Sequence, residues 1–254
     1  MEILGFYPSS CYDSAIVVPC YKEAGRINTG KYLDSLDKFS AQVFLVDDGS
    51  PDATFETLKK LAKSAPDRFI AVKSPQNQGK AEAVRLGMNL ALDNHFKKVG
   101  FLDADLAVSF EEIGEFFKIF KTESDINTVI GVRSKLAGRK IDRTNTKFLI
   151  QKIIAKMGNL LFKPKVIDTQ CGAKVFDAKI LKPAIKKPFS VSWLFDQELL
   201  TRISRMKESI GKNWLFEVPV REWIEIGGSH RKLSDYGKCL KEYFTLLAKY
   251  GIRK

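Results

Sequence analysis

Two carboxylates one residue apart, Asp103 and Asp105, follow directly on the apolar run Val99-Gly100-Phe101-Leu102. Paired oxygens of this kind are hard ligands suited to Mg²⁺ or Mn²⁺, an ion that usually keeps waters and bridges to substrate phosphates. Acids this close repel each other, so a cation between them is the simplest reason for both to be there. Asp-x-Asp alone is a weak signal, because it arises often by chance. Its setting is stronger: a strand-like run leads into it and Ser109 marks a helix start just beyond. Two further polar clusters, Pro19-Cys20-Tyr21-Lys22-Glu23 and Asp47-Asp48-Gly49-Ser50, occupy comparable places earlier in the chain.

Each cluster ends a short apolar run. "AIVVP" (Ala15–Pro19), "QVFLVD" (Gln42–Asp47), "FIAV" (Phe69–Val72) and "KVGFLD" (Lys98–Asp103) read as strands. Helices are expected from the polar stretch up to about Phe39, over Asp52–Lys63 (Phe55, Leu58, Leu61 and Ala62 at helical spacing) and over Lys80–Leu92. That alternation predicts βαβ units on a mostly parallel, Rossmann-like α/β sheet, which binds ligands beyond the carboxyl ends of its strands. Ser50 and Asp52 have a second reading as helix caps. Capping does not account for the other acids at three strand ends.

The second half differs. Lys147–Leu161 carries an apolar stripe of Leu149, Ile150, Ile153, Ile154, Met157, Leu160 and Leu161, with Lys147, Lys152 and Lys156 beside it. Leu233–Tyr250 repeats the pattern with Leu233, Tyr236, Leu240, Tyr243, Phe244 and Leu247, and with Lys238, Lys241 and Lys249 elsewhere. Two readings stand for each: a helix packed on the sheet, or a basic amphipathic helix in a membrane interface.

The net charge of +12 calls for an anionic partner, and its distribution narrows the choice. Gly131–Lys187 holds 15 Lys and Arg against Asp142, Asp168 and Asp177, an excess equal to that of the whole chain. No zinc knuckle, aromatic RNP motif or GXXG loop accompanies it, and an acidic metal-type cluster fits nucleic-acid binding poorly, so no nucleic-acid partner is expected. Cys11, Cys20, Cys171 and Cys239 are widely spaced and are expected to be reduced thiols, with His95 and His230 forming no zinc set with them. Nothing approaches the roughly 18 consecutive apolar residues of a membrane span or the layout of a signal peptide. A single domain of 254 residues is expected, with a nucleotide half near 15–107, an acceptor half near 108–232 and a C-terminal helix over 233–254.

"VVPCYKE", "VDDGSPDAT", "NQGKAEAVRLGM" and "FLDADLA" together resemble, in order and spacing over Ala15–Ala107, the nucleotide-sugar motifs of family 2 glycosyltransferases with the GT-A fold. Downstream, "IGVRSK", "IDTQCGAKVF", "WLFDQELL" and "EWIEIGGSHRKL" resemble the polyprenyl-phosphate glycosyltransferases, most of all the dolichyl-phosphate β-glucosyltransferase branch. The likeness spans all but about the first 14 residues. It implies that Pro19, Tyr21 and Glu23 line the base and ribose and that Asp48 hydrogen-bonds the base. Asp103 and Ala104 would face the nucleotide, Asp103 and Asp105 would hold the metal, and Lys80 would lie near the donor. Arg133 and Arg143 would serve the diphosphate or the acceptor phosphate. Asp168, or else Asp196, would orient the acceptor or act as base, with a structural ion pair as the alternative for either.

Two positions depart from the pattern. The mannose-transferring relatives place Gln two residues after the second metal Asp, where this chain has Ala107, which favours the glucosyl branch. Where both branches end in Gly-Ser-Lys this chain has Gly228-Ser229-His230, so that, beside Ser229 on the donor, the phosphate contact would fall to His230 or be taken by Arg231 or Lys232. The resemblance implies inverting, metal-dependent transfer of a hexose, glucose favoured, from a nucleotide sugar, UDP favoured, to polyprenyl or dolichyl phosphate. Relatives often continue into membrane spans, so this chain, ending at Lys254, is expected to attach peripherally to the cytoplasmic face of an anionic membrane. A sugar-hydroxyl acceptor is the alternative. A nucleotidyltransferase is disfavoured by the lack of a Gly-rich, Lys/Arg-bearing N-terminal loop.

Overall fold

The computed structural model describes residues 1–5, 12–123, 125–206, 211, 213–224 and 233–253, with side chains at 233–236 left aside. Ser229, His230, Arg231 and Lys232 therefore lie outside the described residues, as does Cys11.

The expected strands form almost to the residue: β2 (Ser14–Cys20), β3 (Gln42–Asp47), β4 (Phe69–Lys73) and β5 (Lys98–Leu102), preceded by a short β1 (Glu2–Leu4). β4, β3, β2 and β5 lie side by side and parallel, and β1 adds antiparallel at the β4 edge. Alternate residues feed two cores. Val17, Phe44, Val46 and Ile70 point to one face, and Ile16, Val18, Leu45 and Ala71 to the other. Both faces being covered is why these strands read as unbroken apolar runs rather than alternating ones.

Helices α2 (Thr54–Ser64) and α3 (Lys80–Asp93) fall where the periodicity places them. The helix expected up to Phe39 is shorter: α1 covers only Thr29–Leu33, followed by a single turn at Leu36–Lys38. α4 (Phe110–Thr122) starts at its Ser109 cap, whose Oγ accepts from the Glu112 N–H. The second half adds β6 (Thr128–Val132), β7 (Lys140–Asp142), α5 (Asn145–Gly158), β8 (Ala173–Asp177), α6 (Ala178–Ile185), α7 (Phe195–Ser204), β9 (Leu215–Pro219), β10 (Glu222–Ile224) and α8 (Leu233–Tyr250).

β8 is the element that builds the site. It inserts antiparallel between β5 and β6, with Leu102 opposite Ala173, and β9 pairs parallel with β6. Because β8 runs backwards, its amino end arrives at the same edge as the carboxyl ends of β2, β3, β5 and β6. The "IDTQCG" segment thus meets the "DAD" segment, and Arg133, just after β6, joins them. A separate parallel pair, β7 with β10, carries Trp223 opposite Ile141.

The two amphipathic helices show a common deviation from their sequence stripes. In α5 the inward residues are Gln151, Ile154 and Ala155, whereas Leu149 and Ile153 are exposed, as is Leu160 just past its end. In α8 Cys239, Tyr243 and Leu246 are buried, while Leu240 and Phe244 face outward. Each apolar stripe is wider than the face the fold covers.

Candidate active site

The three polar clusters are locked to one another by backbone and hydroxyl contacts. After β2, the Lys22 N–H donates to Ser50 Oγ (3.0 Å) and the Glu23 N–H to Thr54 Oγ1 (2.8 Å). Ser50 therefore braces the first cluster instead of capping a helix, while Asp52 Oδ1 accepts from the Thr54 N–H at the start of α2. Asp48 Oδ1 and Oδ2 accept from the Gln78 and Gly79 N–H groups (2.9 and 2.7 Å). Gly49, at φ +64°, leaves room that a Cβ would lose by coming 2.5 Å from the Gln76 carbonyl carbon. The Asp-Asp-Gly-Ser turn is thus a clasp on the loop that opens α3. That clasp sets Lys80, the first residue of α3, so that its Nζ lies 2.5 Å from Asp103 Oδ1.

The acidic pair is held from both sides. The Asp103 N–H donates to the Gly172 carbonyl (3.0 Å), and buried Tyr32 donates its hydroxyl to the Ala104 carbonyl (2.8 Å). A Cβ on Gly172 would overlap the Asp103 carboxylate, so only glycine fits where β8 begins. Asp105 Oδ1 accepts from the Ala107 N–H (3.0 Å). Burial first, and the neighbouring Asp103 charge second, push the Asp105 carboxyl above its ordinary range. Glu23 is raised as well, by burial first and with the Asp105 and Asp103 charges adding to it against Arg26. Glu23 Oε2 is buried with no hydrogen-bond partner among the described residues.

Basic side chains share the cleft with the acids. A cleft of about 310 Å³ brings together Lys80, Asp103, Asp105, Arg133, Arg143 and Asp196, six of the residues singled out in the sequence. Arg133 and Arg143 both set their guanidinium carbons 5.5 Å from the centre of the Trp223 ring. Arg143 Nη1 also donates to Gln151 Oε1 of α5, which is why this helix turns a glutamine inward. Lys147, from the first turn of α5, reaches the same cleft.

Of the two candidate bases, Asp168 is fully buried behind Arg133, and the Arg133 Nε and Nη2 donate to its two oxygens at 2.7 and 2.9 Å. Burial pushes its carboxyl up, but the Arg133 charge and these hydrogen bonds, with the Gln170 N–H, more than offset it and leave it below the usual range. Asp168 thus stands in an ion pair with Arg133, the contact that its alternative reading expects. Asp196, at the start of α7, does line the cleft, and its Oδ1 accepts from the buried Lys174 ammonium (3.0 Å). Burial raises the Asp196 carboxyl, with the Lys174 and Lys80 charges opposing.

Pro19 ends in β2, and Tyr21 (41% exposed), Glu23, Asp48 and Ala104 lie outside the walls of this cleft. Sequence reasoning passed over Tyr32, Gly172, Lys174, Gln170, Trp193 and Trp223. Some of these had a visible signal: Lys174 interrupts an apolar strand, and Trp193 and Trp223 are two of only three tryptophans.

A divalent cation fits the acidic side of the cleft. Asp103 and Asp105 offer hard carboxylate oxygens on a rigid turn, and a cation would relieve the repulsion that raises Asp105. Among the described residues no group of three His, Cys, Asp or Glu gathers. The remaining ligands would be waters and phosphate oxygens, as Mg²⁺-type sites ordinarily arrange.

The sequence model described as "Glycosyl transferase family 2" matches residues 15–183, from β2 through the start of α6. The chain belongs to glycosyl transferase family 2. Among its family relatives, a dolichyl-phosphate beta-glucosyltransferase of Trichomonas vaginalis is 31% identical, covering 90% of this chain and 68% of the relative. The dolichyl-phosphate beta-glucosyltransferase of Saccharomyces cerevisiae is 28% identical over 93% of this chain and 74% of its own. Among solved structures, glucosyl-3-phosphoglycerate synthase from Mycobacterium tuberculosis, in complex with Mn²⁺, UDP and glucosyl-3-phosphoglycerate, matches with a TM-score of 0.66. Identity there is 18%, over 98% of this chain and 83% of that one, so this likeness speaks to fold alone. The fold is that of the GT-A glycosyltransferases.

Proposed function

We propose that this family 2 glycosyltransferase moves glucose from UDP-glucose to dolichyl or another polyprenyl phosphate at a membrane surface. One observation carries the reading: an acidic strand-end pair and the basic side chains Lys80, Arg133, Arg143 and Lys147 line one cleft. The acids suit a metal-bound nucleoside diphosphate, and the arginines suit an acceptor that is itself a phosphate. The names of the relatives point the same way.

Asp103 and Asp105 would hold Mg²⁺ or Mn²⁺, which when bound neutralises charge growing on the leaving diphosphate. Lys80 adds a fixed positive charge beside Asp103. Glu23, which has an unpaired buried oxygen, would accept from a ribose hydroxyl. Arg133, aimed by Asp168, and Arg143, stacked with it on Trp223, would hold the acceptor phosphate in line with the anomeric carbon. A phosphate oxygen forms the new bond to that carbon as the bond to the diphosphate breaks, inverting an α-linked donor to a β-linked product. The nucleophile is already ionised near neutral pH, so Asp168 need not act as a base. The exposed apolar residues Leu149, Ile153 and Leu160, with Lys152 and Lys156, and Leu240 and Phe244 of α8 support peripheral docking on an anionic bilayer, on its cytoplasmic face. No described helix is long and apolar enough to cross a membrane.

The test is nucleoside-diphosphate release from a panel of sugar nucleotides with Mn²⁺ or Mg²⁺, with and without a short polyprenyl phosphate. Release that needs the lipid phosphate, is greatest with UDP-glucose and vanishes in Asp105→Ala is the expected result. Release stimulated instead by a sugar hydroxyl, and abolished by Asp196→Asn, would move the assignment to the glycan-acceptor reading.

A further inference from the structure

We infer that Glu242 of α8 is a positioning residue for the cleft: it clamps the wall formed by Ser192 and Trp193 from the far end of the chain. This rests on the reading of the cleft given above. Both carboxylate oxygens take part. Glu242 Oε1 accepts from the Ser192 N–H (3.2 Å), and Oε2 accepts from the Trp193 and Leu194 N–H groups (2.9 and 2.8 Å). Three successive backbone N–H groups thus converge on one side chain from a distant part of the sequence. Carboxylate acceptors make the stronger, shorter class of hydrogen bond.

The clamped segment is part of the cleft. Ser192 and Trp193 line it next to Lys80 and Asp196. The Trp193 carbonyl accepts from Gln170 Nε2 (3.4 Å), a residue of the "IDTQCG" segment. Ser192 Oγ lies 3.1 Å from where a Cβ of Gly79 would stand, directly before Lys80. One short segment therefore touches the donor loop, the β8 entry and α8. Helix α7 begins at Phe195, and Leu194 before it supplies no side-chain cap. Glu242 holds the three residues that lead into that uncapped start, Ser192, Trp193 and Leu194, so the order of the α7 entry depends on where α8 sits.

A second tie separates this role from mere attachment. Glu198 Oε1 accepts from the Tyr250 hydroxyl (2.8 Å), which fastens the end of α8 to α7; Glu198 also accepts from the Ser190 N–H (2.6 Å), so this tie reaches Ser190 but not the three N–H groups of Ser192, Trp193 and Leu194. Helix α8 also presents Leu240 and Phe244 outward, on either side of Glu242 in sequence. The face that would meet a membrane and the carboxylate that holds the cleft wall are on one rigid helix.

Three full-length proteins decide it: wild type, Glu242→Ala and Tyr250→Phe. Backbone hydrogen exchange at residues 192–194, within the peptide covering 190–196, should quicken by about tenfold in Glu242→Ala, the factor that one charge-assisted hydrogen bond carries, and stay near wild type there in Tyr250→Phe. Exchange in the β5 peptide should be unchanged in all three. In transfer assays Glu242→Ala should raise the KM for the polyprenyl phosphate, the sugar nucleotide or both by about tenfold, whereas Tyr250→Phe should lower only thermal stability. Unchanged exchange at 190–196 in Glu242→Ala would overturn the clamp. Faster exchange with both KM values unmoved would overturn its role in positioning. If wild type shows no transfer to a lipid phosphate, the functional reading fails, while the exchange comparison still decides the clamp.

Discussion

Arg133 and Asp168 form a deeply buried ion pair of the site, with exposures of 5% and 0%. Removing one member leaves the other charged and without its partner. Asp168→Asn should therefore lower unfolding stability by about 3–5 kcal/mol, read in urea titrations, and should also misplace Arg133. The pH dependence follows from the depressed carboxyl. A carboxylate lowered in the folded state stabilises above its unfolded value, and that contribution disappears as pH falls through the folded one. The stability gap between wild type and Asp168→Asn should stay constant from neutral pH down to about 5 and close below about 4. A gap that widened on acidification would contradict the ion-pair assignment. Arg143 belongs to the same scale but makes a different prediction. Arg143→Ala should raise the acceptor KM by about 10–100-fold, the worth of a charge-assisted contact, while metal-dependent nucleotide binding measured by calorimetry is unchanged.

At the scale of elements, the sequence announced the first half well and the second half poorly, for physical reasons. β2, β3, β4 and β5 are covered on both faces, so their apolar runs are long and their polar ends abrupt. β8 is also buried, yet Lys174 breaks its run, and nothing in "AKVF" states that the strand runs backwards. The convergence of Gly172 on Asp103 was thus hidden, though both sit in recognisable motifs. Asp168 looked like a base because a lone acid in a basic region has no visible partner until β6 and the β8 entry are neighbours. α5 shows why its stripe left two readings open: the fold covers only part of it, leaves Leu149 and Ile153 exposed, and spends an inward position on Gln151 to hold Arg143. That outward pair yields a prediction. Replacing Leu149 and Ile153 together by serine should leave the thermal midpoint within a few degrees of wild type, because exposed substitutions alter stability by about 0.5 kcal/mol or less each. The same protein should lose most of its flotation with anionic liposomes, since each exposed aliphatic side chain brings about 1.5–3 kcal/mol when fully buried. Retained flotation would place the membrane contact elsewhere.

Across the whole molecule, charge is unevenly divided between the two sides of the cleft. The half that carries the acidic turn is nearly balanced, and the excess lies in Gly131–Lys187, the segment that sends Arg133, Arg143 and Lys147 into the cleft. The halves join along β5 and β8, and beyond the ends of those strands Lys80 already neutralises one oxygen of Asp103. A metal ion entering alone would have two carboxylates, one of them engaged by an ammonium, and water for the rest of its coordination. A nucleoside diphosphate entering alone would bring its phosphates against Asp103 and Asp105 with no cation between. Each ligand thus supplies what the other lacks, and binding should be strongly synergistic. With both at about 100 times the dissociation constant of the ternary complex, ligand linkage adds about 2.7 kcal/mol to the folded state. For a chain of 254 residues that corresponds to a rise of roughly 5–10 °C in the thermal midpoint. Mn²⁺ alone or UDP alone at the same concentrations should each give a small fraction of that shift. Asp105→Ala should abolish the synergy, and Arg143→Ala should leave it intact. Equal stabilisation by UDP with and without Mn²⁺ would mean that the basic side chains, not the acidic pair, receive the diphosphate, and the donor and acceptor sides of the cleft would have to be exchanged.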